Sequence, residues 1–130
     1  MDTLDFETSL RNLVSSRGHS LAEDIRAIDA KLSEGNVSAS LWILRGDLLQ
    51  LCDDCEEDFP LEEALHSYEA AIRCEPSNPE GYEELAYYLD KIEDKPREAE
   101  PYFRKAIALG AGKSAQDGLA QVLEQLNEPE

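Results

Sequence analysis

The sequence predicts an all-α fold of about seven helices that pack as stacked antiparallel hairpins, an α-solenoid. Apolar residues recur at spacings of three and four throughout the chain, and no segment shows the alternation of a β-strand. A small–aromatic–small stripe also occurs twice, in the order Ala64, Tyr68, Ala71 and again Ala99, Phe103, Ala106. Such a stripe lets two helices approach closely around one ring, and its tandem repetition indicates a helical repeat.

The first two helices are predicted from amphipathic stripes. The first runs from about Leu4 to Val14. Ser20 then offers an N-cap oxygen, and Glu23 follows three residues later, as in a capping box. Gly35 follows the apolar stripe of the second helix, where a helix C-terminus favours a left-handed residue.

The third and fourth helices flank an acidic loop. The third helix covers roughly Ala39 to Cys52, and the loop extends from Asp53 to Pro60. Pro60 can begin the fourth helix, because the first helical position needs no N–H donor. The run Pro76-Ser77-Asn78-Pro79 is a strong stop signal after it.

Three more helices complete the predicted fold. The fifth spans about Glu80 to Ile92, and the sixth runs from Pro96 to Leu109 with Pro101 inside it. Ser114 is the expected cap of the last helix.

The helix pairs in the middle of the chain resemble tetratricopeptide repeats, which are units of about 34 residues. The residues that match in the first pair are Trp42, Gly46, Ala64, Tyr68, Ala71 and Pro76. Those that match in the second pair are Tyr82, Leu85, Ala86, Ala99, Phe103 and Ala106. Arg45 departs from the pattern because it stands where the family has Leu, and Ala111 replaces the closing Pro.

The resemblance implies one domain over residues 1–130. Residues 1–38 would be a degenerate leading helix pair, 39–78 the first repeat, 79–113 the second repeat and 114–126 a capping helix. Roughly three stacked units are normally needed for stability. The leading pair would therefore act as the third unit.

Net charge limits the partners that this chain can attract. It has 29 acidic and 12 basic residues, which gives a formal net charge of −17. That field repels nucleic acid and anionic membrane surfaces and attracts basic proteins or peptides. Exposed end faces could also pair two chains as a homodimer.

Cytoplasmic localisation is expected from three features of the sequence. No apolar run approaches the roughly 18–20 residues of a membrane span. The acidic N-terminus lacks the order of a signal peptide. The three cysteines suit a reducing compartment rather than a disulfide framework.

No motif in the sequence indicates an enzyme or a cofactor. A phosphate loop, a nucleophile elbow and a metalloprotease helix are all missing from the sequence. Cys52 and Cys55 form a C-x-x-C pair, but a helix C-terminus and neighbouring carboxylates both disfavour a thiolate. Cys74 lies about 20 Å along the fourth helix, too far to complete a zinc site. We therefore predict that the cysteines are buried or incidental.

The predicted function is that of a non-catalytic protein–protein interaction module. The resemblance implies a concave face whose candidate binding residues here are Ile43, Asp47, Gln50, Asp54, Glu83, Tyr87, Asp90 and Asp94. Relatives that bind acidic chaperone C-termini line this groove with Lys, Arg and Asn, whereas carboxylates favour a basic or amphipathic segment. The acidic part of the loop, Asp53 to Asp58, with Phe59 at its end, is a second candidate contact.

Two other functions stay open at this point. The chain could be an immunity-type inhibitor of a basic toxin or nuclease, which would use the same charge complementarity. It could instead be a metal or redox protein that uses Cys52 and Cys55.

Overall fold

Seven α-helices follow one another through residues 3–127, the part of the chain that this computed structural model describes. Their bounds are α1 Thr3–Arg17, α2 Ala22–Ser33, α3 Ala39–Gln50, α4 Glu62–Cys74, α5 Pro79–Tyr87, α6 Pro96–Ala108 and α7 Lys113–Asn127. A π-helical segment, Tyr88–Ile92, continues α5. No strand occurs within residues 3–127, so the predicted all-α fold of about seven helices is confirmed.

The chain divides into two compact units. The first unit is Met1–Cys74 and contains α1 to α4, and the second is Glu75–Glu130 and contains α5 to α7. The single domain expected over residues 1–130 stays a prediction.

Helix α3 is the centre of the first unit. It packs along α4 and also against α2 and α1. Eight of its twelve residues are buried: Ala39, Leu41, Ile43, Leu44, Arg45, Gly46, Leu48 and Leu49. Burial around so much of a helix requires neighbours on several sides, and α3 has them.

The aromatic ring of Tyr68 fills the space between α3 and α4. The residue is 0% exposed, and Ala64 and Ala71 beside it on α4 are buried too. A Cβ atom on Gly46 would lie 2.5 Å from Tyr68 Cε1 and 2.7 Å from its Cζ. Only glycine leaves enough room there, so the predicted ring between two closely packed helices is confirmed.

Arg45 is buried in the core, where its guanidinium forms ion pairs with two carboxylates. Its Nε lies 2.7 Å from Asp29 Oδ1, and its Nη2 lies 3.2 Å from Glu63 Oε1. Nη1 donates to the hydroxyl of Ser67 over 2.9 Å. An isolated buried guanidinium would be costly, but here two partly exposed carboxylates pair with it.

The second unit repeats the ring-and-glycine contact with a different order of helices. Helix α6 packs on α5 and on α7. Phe103 of α6 is 0% exposed, and a Cβ on Gly118 of α7 would lie 2.5 Å from its Cζ. The edge of Tyr87 meets the Phe103 ring at a centroid distance of 4.9 Å and an interplanar angle of 87°.

Several helix ends differ from the sequence-based expectation. Ser20 does not cap α2, because its hydroxyl donates instead to the carbonyl oxygen of Leu48. Leu21 takes the N-cap position, and its N–H donates to Asp24 Oδ2 over 2.8 Å. The expected box of Ser20 with Glu23 is therefore wrong by one residue. Gly35 does adopt the predicted left-handed conformation, with φ +92°.

The other boundary differences are small. Helix α3 ends at Gln50 rather than Cys52, and α4 begins at Glu62 rather than Pro60. Helix α7 begins at Lys113, which places Ser114 inside the helix rather than at its cap.

Replacing Gly46 with alanine should destabilise the first unit. The new methyl group has no space because the buried Tyr68 ring cannot swing into solvent, and overpacking of this kind costs about 1–3 kcal/mol. That loss should outweigh the gain in helix propensity, which is about 1 kcal/mol for Gly to Ala. Urea denaturation measures the change in the free energy of unfolding.

Gly112→Ala is the matched control, because nothing lies within 4 Å of a Cβ there. It should change the free energy of unfolding by less than about 1 kcal/mol. A Gly46→Ala variant that shows the full helix-propensity gain of about 1 kcal/mol would contradict the close approach of α3 and α4.

Candidate functional site

Two of the eight predicted binding residues lie inside the fold. Ile43 of α3 is 3% exposed, and Asp90 of the π-helical segment is 5% exposed. Ile43 is buried because α3 has helices on several sides. Asp90 Oδ1 accepts a hydrogen bond from Gln125 Nε2 of α7 over 3.1 Å. Neither residue offers its side chain to the surface of its unit.

Asp47 and Gln50 serve the buried ring of Tyr68. The phenol hydroxyl donates to Asp47 Oδ1 over 2.7 Å and accepts from Gln50 Nε2 over 2.7 Å. The second carboxylate oxygen of Asp47 lies 3.5 Å from an Arg11 guanidinium nitrogen. A buried hydroxyl needs such partners, so these two predicted binding residues also have a structural role.

Asp54 forms a hydrogen bond with the first residue of α2, which is distant from it in the sequence. Its Oδ1 accepts a hydrogen bond from the N–H of Ala22, the first residue of α2, over 2.6 Å. A carboxylate at this place compensates the partial positive charge of a helix N-terminus.

In the second unit, Tyr87 is tied to α7. Its hydroxyl donates to the carbonyl oxygen of Ser114 over 2.5 Å, and its ring packs on Phe103. Glu83 is partly exposed and Asp94 is exposed. Asp94 has φ +54°, an uncommon conformation for a residue other than glycine.

One oxygen of Asp90 is unusual. Lys91 Nζ lies 3.4 Å from Asp90 Oδ2, but among the described residues no group donates a hydrogen bond to that oxygen. It lies in a π-helical turn, a feature often found at functional sites. Among the described residues Asp90 does not belong to a group of three or more possible metal ligands, so the structure does not assign it a chemistry.

The pKa of Lys95, just after the π-helical segment, is raised. The main cause is the hydrogen bond that its ammonium makes with Glu93, followed by the negative charges of Glu93 and Glu98. Lys95 also lines a shallow cleft of about 360 Å³ with Asp94, Arg97 and Leu126. The mixed charges around this cleft do not favour one class of partner.

The acidic loop, residues 53–58, is the segment where the structure gathers exposed carboxylates. Asp53, Glu56 and Glu57 are all exposed. Asp58 forms a 2.6 Å ion pair with Arg26, whose guanidinium lies 5.7 Å from the centroid of the Phe59 ring. The loop therefore presents negative charge on its outer side while its two ends are anchored.

A cleft of about 220 Å³ opens beside this loop, and we refer to it as the cysteine cleft. Its lining residues are Leu49, Gln50, Cys52, Cys55, Glu56, Phe59 and Leu61. Of these, Leu61 is 45% exposed. The cleft therefore combines apolar walls with one acidic edge.

A disulfide joins Cys52 to Cys55 at the edge of this cleft, with 5.7 Å between their Cα atoms. Cys55 is 4% exposed, whereas Cys52 is partly exposed. Cys74 is a partly exposed thiol at the end of α4. The prediction of buried or incidental cysteines does not include this bond. The C-x-x-C spacing is the sequence signal that could indicate it.

The same loop contains the one group of possible metal ligands within the described residues. The sulfurs of Cys52 and Cys55 and an oxygen of Asp54 lie within 4.8 Å of one another. A metal ion would need both sulfurs as thiolates, so the disulfide and such a metal site exclude each other.

Comparison with known proteins gives no matching family model and no curated protein with a matching sequence. The resemblance to tetratricopeptide repeats therefore stays a prediction. Within residues 3–127, the helices are all too short or too polar to cross a membrane.

Tyr68→Phe tests whether Asp47 and Gln50 are committed to the buried phenol. Loss of the hydroxyl should lower the free energy of unfolding by about 1.5–3 kcal/mol, because a hydrogen bond to a charged group is lost in a buried site. Thermal and urea denaturation measure the change.

Tyr82→Phe is the matched control. Its hydroxyl donates to the carbonyl oxygen of Pro76 over 2.8 Å at an exposed position, so its loss should matter less. Equal stability of Tyr68→Phe and the wild type would mean that Asp47 and Gln50 do not depend on the ring.

Proposed function

We propose that this chain is a non-catalytic protein–protein interaction module of the tetratricopeptide type that binds basic or amphipathic protein segments. It would act as a cytoplasmic adaptor or chaperone-like protein. The observation that carries the proposal is an exposed acidic loop beside an apolar cleft, in a chain of net charge −17.

Charge supports a basic partner. Among the described residues, Asp53, Glu56 and Glu57 of the acidic loop have no ion-pair partner and are exposed. Clustered carboxylates of this kind raise the local concentration of cationic partners and speed their association.

The cysteine cleft supports an amphipathic partner. Its volume of about 220 Å³ lies below the range of sites that enclose small-molecule ligands. It suits an apolar side chain of a peptide, which would pack on Leu61 and Phe59. Lys or Arg residues next to that side chain would then reach Glu56 and Glu57.

Only part of the predicted concave face enters this proposal. Gln50 lines the cleft and Asp54 belongs to the loop, so both lie beside the proposed contact. The contribution of Asp47, Glu83, Tyr87 and Asp94 to binding stays a prediction.

Charge reversal of the loop tests the electrostatic part. The probe is a fluorescently labelled synthetic peptide of alternating Lys and Leu, and binding is followed by anisotropy at low salt. Glu56→Lys with Glu57→Lys should weaken binding about tenfold, which corresponds to about 1.4 kcal/mol. The difference should shrink as salt is raised, because exposed charges are screened.

Asp117→Lys with Glu124→Lys is the matched control. Both of its positions are exposed on α7, and the pair changes the net charge by the same amount. An equal loss of binding in both double variants would show that only net charge matters, and would contradict a site at the acidic loop.

A second pair of variants tests the cleft. Leu61 and Ile92 are each 45% exposed, but only Leu61 lines the cleft. Leu61→Asp should weaken binding of the Lys–Leu peptide several-fold, whereas Ile92→Asp should leave it unchanged. A Lys–Ser peptide should not distinguish the two, because it has no apolar side chain to bury.

A further inference from the structure

We propose that Cys52 and Cys55 form a reversible dithiol/disulfide site whose oxidation fixes the acidic loop to the start of α2. We further infer that this site reacts with cationic small disulfides in preference to anionic ones. The inference does not depend on the proposed binding function.

The two sulfurs differ in access. Cys55 is 4% exposed, whereas Cys52 is partly exposed, and both line the cysteine cleft. A small reagent that enters the cleft therefore meets the sulfur of Cys52 first. The Cα atoms lie 5.7 Å apart, within the usual range for a disulfide, so the bond needs no large movement of the backbone.

The chain between the cysteines is fastened to α2 and to the turn before it. The N–H of Asp53 donates to the carbonyl oxygen of Ser20 over 3.0 Å, and the N–H of Ser20 donates to Leu51 over 3.1 Å. Asp54 Oδ1 accepts from the N–H of Ala22 over 2.6 Å. Two of these three contacts come from the residues that the disulfide encloses.

The disulfide therefore supports the docking of the loop. While the ring is closed, Asp53 and Asp54 can explore few conformations, so little entropy is lost when they bind Ser20 and Ala22. Reduction removes that constraint. The same hydrogen bonds must then order a segment that has more conformational freedom. For so short a ring, the loop-closure entropy corresponds to a change of about ten- to thirty-fold in the docking equilibrium.

The redox step balances with a low-molecular-weight disulfide as oxidant. The Cys52 thiolate attacks one sulfur of the oxidant, whose S–S bond breaks and releases the first small thiolate. The Cys55 thiolate then attacks Cys52 Sγ, the mixed disulfide breaks and the second small thiolate leaves. Each cysteine thiol loses its proton to water before it attacks, and each released thiolate takes up a proton from water. The pair therefore loses two electrons and two protons, and the oxidant becomes two small thiols. Two equivalents of a small thiol reverse the sequence.

Local charge selects among such reagents. The segment carries five carboxylates, Asp53, Asp54, Glu56, Glu57 and Asp58, of which Asp58 is paired with Arg26. An anionic disulfide must approach against this field, whereas a dicationic one is attracted by it. The difference should therefore be largest at low salt.

The first experiment measures the rate of oxidation of the full chain as Cys74→Ser, which leaves only the C-x-x-C pair. The reduced protein is mixed with cystamine, a dication, or with oxidised glutathione, an anion, and remaining thiols are counted with time. The ratio of the two rates should exceed the ratio for the same protein unfolded in urea by about tenfold. The ratio for the folded protein should decrease when the substitutions Glu56→Lys and Glu57→Lys are added to the Cys74→Ser variant.

Several results would overturn this part of the proposal. One is that the folded protein forms no disulfide with either reagent. Another is that it keeps its disulfide against excess small thiol until it is unfolded. Equal rate ratios for folded and unfolded protein would exclude selection by the loop.

The second experiment measures amide hydrogen exchange of Asp53 and Ala22 in the oxidised and reduced forms. Reduction should accelerate their exchange about tenfold, and Cys52→Ser with Cys55→Ser should match the reduced form. The amide of Ala111 in the second unit, which donates to Ala106, is the internal control and should not change.

Unchanged exchange at Asp53 and Ala22 would show that the disulfide does not support docking of the loop. If the double serine variant fails to fold, the reduced Cys74→Ser protein supplies the same comparison. Each result therefore supports or overturns the coupling.

Discussion

Close contact between an aromatic ring and a glycine sets the spacing of helices in both units. Tyr68 lies where a Cβ on Gly46 would sit, and Phe103 lies where one on Gly118 would sit. Interiors are packed so densely that one additional methyl group at such a place must displace its neighbours. The distance between α3 and α4, and between α6 and α7, therefore depends on the glycine that has no side chain as much as on the aromatic ring that packs against it.

This packing determines which polar residues remain for binding. Tyr68 takes its hydroxyl into the core, and Asp47 and Gln50 are drawn in to satisfy it. Tyr87 packs on Phe103 and gives its hydroxyl to Ser114. Polar side chains that share a helix face thus become parts of the fold, and exposed, unpaired carboxylates lie instead on the loop between α3 and α4.

Periodicity predicted the helices and the two buried rings because both depend on residues close in sequence. It could not predict the partner of Phe103, since the small residue that faces the ring is Gly118 of α7 rather than one on α5. Ser20 was expected to cap α2, but a tertiary acceptor, the carbonyl oxygen of Leu48, takes its hydroxyl. Arg45 is tolerated in the core only because Asp29 and Glu63 meet it there, and no local pattern shows that.

The acidic loop connects packing, charge and redox chemistry within a few residues. Asp54 is engaged at the start of α2 and Asp58 is paired with Arg26, so three of its five carboxylates remain for a partner. Of those three, Asp53 lies inside the ring that the Cys52–Cys55 bond closes and is held by its N–H on Ser20, whereas Glu56 and Glu57 directly follow the ring. The same bond forms part of the apolar cleft next to them. Any ligand that uses the carboxylates and the cleft together must therefore recognise an arrangement that the state of two sulfur atoms controls.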